Sequence, residues 1–136
     1  MPMLLSVEHH LPRSARSVSL SRAYFRRQAT GWGLPEETVD TAALLLSELM
    51  TNACRHARFP RDRYIAARWT LDAGSSLLLV EVSDADRRLP RPRSTAPDDE
   101  SGRGLELLAA LATTWGAHLR ECGVGKTVWF TLKYPS

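Results

Sequence analysis

Hydrophobic and polar positions alternate along this chain with two different periods, and the period changes where one predicted element ends and the next begins. The residues from Leu4 to Leu11 are typical of a short first strand. From Ser14 to Trp32 the apolar positions recur at helical spacing, and Gly31 and Gly33 then end the helix. Its inward-facing candidates are Val18, Tyr24, Phe25 and Ala29.

A second and longer helical pattern opens at Pro35 and continues to about Ala57. Proline is favoured at the first helical position, and the carboxylates of Glu36 and Glu37 in the first turn suit the positive end of the helix dipole. An apolar stripe runs along this helix and predicts that it packs on a core. The stripe consists of Leu45, Leu46, Leu49, Met50 and Ala53.

Two antiparallel hairpins are predicted further along the chain. Residues Tyr64 to Leu71 and Leu77 to Ser83 are rich in strand formers and are separated by the turn sequence Asp-Ala-Gly-Ser at 72–75. The last hairpin joins His118–Glu121 to Lys126–Lys133 around Gly-Val-Gly at 123–125.

The segment from Ala85 to Ser101 follows the first hairpin and holds three prolines within a strongly charged sequence. Such a composition cannot bury apolar area, so we predict a mobile loop over 85–101, of the kind that often serves as a lid. The run from Gly102 to Gly116 then predicts a helix, with Gly102 and Gly104 at its start. Its apolar repeat is Leu105, Leu108, Ala109 and Leu111 or Ala112.

Composition limits the classes of protein that these elements can form. A chain of 136 residues, 43% hydrophobic and 24% charged, has the usual make-up of one globular domain, here residues 1–136. The net charge of +3 comes mostly from scattered arginines, which does not favour direct nucleic-acid binding. No window is long and apolar enough for a membrane span or a signal peptide, and the two cysteines form no metal-binding pattern, so we expect a cytoplasmic protein.

Three polar residues lie beside the apolar stripe of the second helix, at spacings of four. Glu48, Asn52 and His56 therefore share one face. An amide oxygen can be the single protein ligand that Mg²⁺ takes when phosphates and water supply the rest, and Asn52 fits that role. Glu48, one turn earlier, could act as the base toward a hydroxyl nucleophile.

Each of these residues also has an ordinary structural explanation when taken singly. Glu48 and Asn52 could be surface positions, His56 could favour the negative end of the helix dipole, and Asp84 could be a turn residue. Their order along the chain is more specific: polar helix, strand ending in aspartate, long loop, then Gly-x-Gly opening a helix. Backbone N–H groups of Gly102 and Gly104 at a helix start would suit phosphate.

In this order the motifs resemble those of the histidine-kinase-like ATPases, the GHKL or Bergerat-fold group, and within it the anti-sigma-factor serine kinases of the RsbW type. ELMTNACRHA resembles the family's N-box, VEVSDAD the strand and aspartate that follow, and SGRGLELL the second glycine box. The resemblance runs from about Leu11 to the C-terminus. It implies a two-layer α/β sandwich, with a mixed, mostly antiparallel sheet covered on one face by helices.

By this resemblance, ATP and Mg²⁺ are the cofactors and each motif residue has an expected role. Glu48 is the general base and Asn52 the Mg²⁺ ligand, while Asp84 accepts a hydrogen bond from the adenine amino group. Thr127 of Gly-Lys-Thr lies near the adenine. The residues expected near the phosphates are His56, Gly102, Arg103 and Gly104.

The same resemblance implies partners and leaves two functions open. A serine or threonine kinase of this type acts on an antagonist protein of the STAS type and binds a sigma factor, and such proteins often form homodimers. The family's first glycine box, Asp-x-Gly-x-Gly, reads Asp-Ala-Asp-Arg-Arg at 84–88, without either glycine. Its loss favours the alternative, a degenerate module that sequesters a partner without transferring phosphate, whereas Glu48 and Asn52 favour the kinase.

Overall fold

The computed structural model describes residues 4–56, 64–85, 100–121, 123 and 125–135 of the chain. Five strands and three helices lie within these residues. In chain order they are β1 (Leu4–Leu11), α1 (Ala15–Gly31), α2 (Glu36–His56), β2 (Ile65–Asp72), β3 (Leu77–Asp84), α3 (Glu100–Leu111), β4 (Thr114–Leu119) and β5 (Lys126–Lys133).

The strands form one sheet in the order β1-β2-β3-β5-β4. All four described pairings are antiparallel, which confirms the predicted α/β sandwich with a mostly antiparallel sheet. The expected mixed character is not found, because the described strands form no parallel pair. β1, β2 and β3 form a meander, and β5 then inserts between β3 and β4. This insertion places β5 beside β3, the strand that ends in Asp84.

The two faces of the sheet differ sharply in polarity because strand side chains alternate between them. One face carries the core, in which Trp69 is fully buried and Phe25 of α1 meets its ring edge-on at 5.5 Å. On the other face polar side chains pair across the strands, as in Arg68 Nε to Glu81 Oε1 at 3.0 Å. The helices therefore cover one face, and α2 packs against β2, β3, β5 and α3.

The first two helices begin and end close to where the sequence predicts. Gly33 adopts a φ of +81° just after α1, and its N–H bonds to the carbonyl of Thr30, as is usual where a glycine ends a helix. Pro35 immediately precedes α2, where its missing N–H costs nothing. The two helices and the first hairpin are confirmed to within one or two residues.

Two elements near the C-terminus have boundaries that differ from the prediction. α3 begins at Glu100, two residues before Gly102, and it ends at Leu111 instead of continuing toward Gly116. β4 then starts at Thr114, four residues before the predicted start at His118. Thr114 and Trp115 are strand formers, and the pairing of Thr114 with Thr131 of β5 outweighs the local helical pattern.

Most of the predicted lid, residues 86–99, lies outside the described residues, so the lid remains a prediction. The turn of the last hairpin is described at Gly123 and Gly125, which both have a φ of +79°. Among the helices in the described part of the chain, none has the length and apolar character needed to cross a membrane.

Candidate functional site

The polar row predicted on α2 is present and partly shielded from water. Glu48 and Asn52 are both intermediate in exposure, while Leu49, Met50 and Ala53 around them are buried. The row therefore lies at the margin of the core, where a carboxylate and an amide can face a ligand while the adjoining side chains hold the helix in place.

Gly104 of α3 lies directly against this row. A methyl group on Gly104 would lie 2.9 Å from Asn52 Nδ2 and 3.6 Å from Glu48 Oε2. No other residue type has room at this position unless Asn52 moves, so the glycine lets the backbone of α3 approach the two polar side chains closely. The structure thus brings together three of the predicted site residues, Glu48, Asn52 and Gly104.

The position of Gly104 in its helix alters the role expected for it. Because α3 begins at Glu100, Gly104 lies in the second turn, past the first residues whose N–H groups have no partner inside the helix. Its contribution is the close approach of two helices, whereas the predicted donation of its N–H to phosphate does not suit a residue inside the helix. Gly102, the third residue of α3, remains in the first turn.

The three grouped residues fit magnesium-bound triphosphate in their chemistry. The amide nitrogen of Asn52 is the atom closest to Gly104, and the carbonyl oxygen of the same amide is the type of ligand that Mg²⁺ takes from proteins. The carboxylate of Glu48 lies beside the same glycine and can accept a proton.

A second group of site residues forms where β3 and β5 lie side by side. Asp84, the last residue of β3, is 3% exposed, and its Oδ1 accepts a hydrogen bond from Lys126 Nζ at 3.1 Å. Lys126 is also buried and stands opposite Asp84 in the register of the two strands. A buried carboxylate beside a buried ammonium is strongly favoured over either charge alone.

Gly125 fixes the approach of the two strands at this pair. With its φ of +79°, a methyl group on this residue would lie 1.7 Å from the carbonyl oxygen of Asp84. Only glycine combines that backbone conformation with such close contact to the neighbouring chain. The close approach of Gly125 to β3 thus places the ammonium of Lys126 beside the carboxylate of Asp84.

Thr127, in contrast, lies on the opposite face of the sheet from Asp84. Its hydroxyl bonds to the hydroxyl of Ser83 at 2.7 Å, and these two residues are paired in the strand register. The residue of β5 that faces Asp84 is Lys126. The sequence predicted a role only for its neighbour Thr127 and none for Lys126. Strand alternation is the signal that could have found it, since Val128, two residues on, is buried in the core.

The remaining predicted site residues are only partly described. His56 is the last residue of α2, and Gly102 and Arg103 lie in the first turns of α3. The side chains of His56 and Arg103 are outside the described part of the structure, so their expected position near the phosphates remains a prediction.

The thiol of Cys54 lies two residues beyond Asn52 and is held by the chain. Burial raises the pKa of this thiol above its ordinary value of 9.0. The hydrogen bond from Sγ to the carbonyl oxygen of Ser14, at 3.3 Å, and the charge of Arg13 oppose this effect only in part.

Among the described residues, no cluster of three or more histidine, cysteine or acidic side chains could hold a metal ion on its own. A metal at Asn52 would therefore depend on phosphate and water for most of its ligands.

Comparison with known proteins supports the fold and identifies a family. The family model described as "Histidine kinase-like ATPase domain" matches residues 11–132. Among solved structures, the chain is similar to the Erythrobacter litoralis EL346 blue-light activated histidine kinase, with 25% identity and a TM-score of 0.52. That match covers 74% of this chain, which spans 32% of the length of the kinase chain.

No curated protein matches the chain. The family match extends from the end of β1 to the end of β5, so it includes both groups of site residues, on α2 and α3 and at the ends of β3 and β5. The chain therefore belongs to the histidine kinase-like ATPase domain family.

Proposed function

We propose that this domain binds Mg²⁺ and ATP and transfers the γ-phosphoryl group to a serine or threonine hydroxyl of an antagonist protein, as a regulator of the RsbW anti-sigma type. The observation that carries the proposal is the contact of Gly104 with both Glu48 and Asn52. A proton acceptor and a magnesium ligand are thereby held side by side at the margin of the core.

Each residue has a distinct task in this proposal. Asn52 holds the metal through its amide oxygen, and Glu48 accepts the proton of the attacking hydroxyl. Mg²⁺, when bound, supplies charge neutralisation for the phosphate oxygens. Asp84 accepts a hydrogen bond from the exocyclic amino group of adenine and so selects the base. Arg103 and His56 are proposed to lie near the phosphates.

The partners follow from the proposed kinase activity. The substrate is an antagonist protein of the STAS type, and the partner under regulation is a sigma factor. A homodimer is also proposed, on the resemblance to the RsbW group.

A second candidate function is supported by the sequence after β3. Residues 84–88 read Asp-Ala-Asp-Arg-Arg, where the family's first glycine box has two glycines. Without glycines, this segment cannot adopt backbone conformations that require a positive φ at low cost. The alternative is a module that keeps the fold and sequesters a partner protein without phosphoryl transfer.

Calorimetric titration with ATP, with and without Mg²⁺, followed by a phosphoryl-transfer assay on candidate antagonist proteins separates the two functions. The kinase hypothesis predicts Mg²⁺-dependent binding of ATP and transfer of its γ-phosphoryl group. The sequestering hypothesis predicts a stable complex with the partner protein and no phosphoryl transfer at any ATP concentration.

The variant Glu48→Gln isolates the base, because it keeps the size of the side chain and removes its basicity. It should bind ATP as the unmodified protein does and lose transfer by about a hundredfold or more. Glu106→Gln is the matched control, because Glu106 is an exposed glutamate of α3. This variant should transfer the phosphoryl group at the unmodified rate. If Glu48→Gln transfers at the unmodified rate, Glu48 is not the base.

A further inference from the structure

Lys126 belongs to the group of residues at the ends of β3 and β5, and the sequence motifs assign it no role. It is a lysine buried at the end of β5, with its Nζ 3.1 Å from Oδ1 of Asp84. Lysine is rarely buried unless its charge is paired, and here the pairing partner is the carboxylate proposed to select the base.

The strand register shows why this lysine faces Asp84 instead of solvent. Asp84 and Lys126 are opposite each other in the β3–β5 pairing, and both lie on the helix-covered face. The next residue, Thr127, turns to the other face and bonds to Ser83. Gly125 brings the backbone of β5 against the carbonyl of Asp84, which fixes the level of Lys126 along the strand.

The carboxylate and the ammonium present complementary hydrogen-bonding groups side by side. A carboxylate only accepts hydrogen bonds, and an ammonium only donates them. The Watson–Crick edge of adenine offers the reverse pattern, an amino donor at position 6 beside an acceptor at N1. Guanine offers a carbonyl acceptor at position 6 beside an N1–H donor, so both of its groups would meet groups of the same kind.

We propose that Lys126 is a second base-reading residue, which donates a hydrogen bond to N1 of adenine while Asp84 accepts one from the 6-amino group. This role depends on the ATP binding proposed above and extends it to the choice of base. Both charged groups are withdrawn from water, so a base edge would meet them without competing solvent. Because the pair is buried, the groups that cover it must move when a base enters.

Nucleotide analogues test this role on the unmodified protein. The ligand 1-deaza-ATP carries C–H in place of N1, and purine riboside triphosphate lacks the 6-amino group. If Lys126 reads N1, 1-deaza-ATP should bind about tenfold or more weakly than ATP, because the ammonium is left facing a C–H group. Purine riboside triphosphate should also bind more weakly, through the loss at Asp84.

The variant Lys126→Met links the analogue effect to the lysine. Methionine keeps an unbranched side chain and removes the donor, so the affinity ratio of ATP to 1-deaza-ATP should fall to about one. A ratio is used because general loosening of the site would weaken both ligands together. Lys133→Met is the matched control, because it makes the same substitution at an exposed lysine at the other end of β5, and it should keep the unmodified ratio.

Lys126→Met leaves the carboxylate of Asp84 buried without its ammonium, so the variant could unfold. The double variant Asp84→Asn with Lys126→Met removes both charges and keeps the test available, since it too should show a ratio of about one. Circular dichroism confirms that each variant is folded before titration.

The outcomes separate this role from the proposed function. Absence of ATP binding by the unmodified protein overturns the ATP site itself. If ATP binds and 1-deaza-ATP binds equally well, the ATP site stands and the role of Lys126 is refuted. A ratio that stays at the unmodified value in a folded Lys126→Met variant also refutes it.

Discussion

The tight approach of Gly125 to β3 allows a prediction about stability with a built-in control. Gly123 and Gly125 both have a φ of +79°, so alanine at either position carries the same cost of a left-handed backbone. That cost is about 1–2 kcal/mol per residue. The surroundings of the two glycines differ: a methyl group on Gly123 meets nothing within 4 Å, whereas one on Gly125 would lie 1.7 Å from the carbonyl oxygen of Asp84.

The difference between the two variants therefore measures the cost of the clash at Gly125, including any hydrogen bond that the clash breaks. An ordinary contact needs at least 3.4 Å, so in Gly125→Ala the backbones at the ends of β3 and β5 must separate. Such overpacking typically costs about 1–3 kcal/mol. Loss of one interstrand hydrogen bond adds about 1 kcal/mol. We expect Gly125→Ala to lower the free energy of unfolding by about 3–6 kcal/mol and Gly123→Ala by only about 1–2 kcal/mol.

Urea denaturation followed by circular dichroism measures both values, and each variant should unfold in a single transition if the domain is two-state. A loss of about 3–6 kcal/mol is a large share of the roughly 5–15 kcal/mol that holds a domain folded. Should the two variants agree to within about 0.5 kcal/mol, the close contact of Gly125 with Asp84 is wrong, and with it the placement of Lys126.

Two further predictions concern the contact of Gly104 with Asn52 and the sheet face opposite the core. Gly104→Ala should leave stability unchanged or raise it by up to about 1 kcal/mol, because alanine favours the helix and its methyl group displaces only the end of Asn52. The Mg²⁺-dependent affinity for ATP should nevertheless fall by about tenfold or more. Gly31→Ala is the control, because its methyl group meets no atom within 4 Å, and this variant should bind ATP normally. If the Gly104→Ala and Gly31→Ala variants bind ATP equally well, Asn52 does not hold the metal. Arg68→Ala breaks the ion pair with Glu81 on the sheet face opposite the core, and it should lower stability in denaturant titrations by less than about 1 kcal/mol. ATP affinity should not change. A large change in ATP affinity would mean that the nucleotide binds on this face of the sheet and not on the helix-covered face.

Local patterns predicted the parts of this fold that local physics determines. The α1–α2 region and the β2–β3 hairpin follow from hydrophobic period, proline and glycine positions and turn residues, and they lie where predicted. The spacing of Glu48 and Asn52 placed them on one helical face, because helix geometry alone fixes which side chains share a face.

The errors arose where distant strands decide the outcome. The start of β4 at Thr114 depends on pairing with β5, and a single-sequence pattern does not show that partner. The pairing of Asp84 with Lys126 depends on the β3–β5 register, so the sequence motifs assigned Lys126 no role. Alternation within β5 alone contains that information, because the buried Val128 already fixes which face Lys126 occupies.

The insertion of β5 between β3 and β4 has a consequence for the order in which the domain can fold. β1, β2 and β3 pair with their neighbours in sequence, but β3 meets β5 only when a loop is closed between residues 42 positions apart, Asp84 and Lys126. Loop closure of this length opposes early pairing, so the β1–β3 meander should form before β5 docks on it. During synthesis, β3 therefore presents an unpaired edge until β5 has left the ribosome, and the end of the sheet that holds Asp84 and Lys126 is completed last.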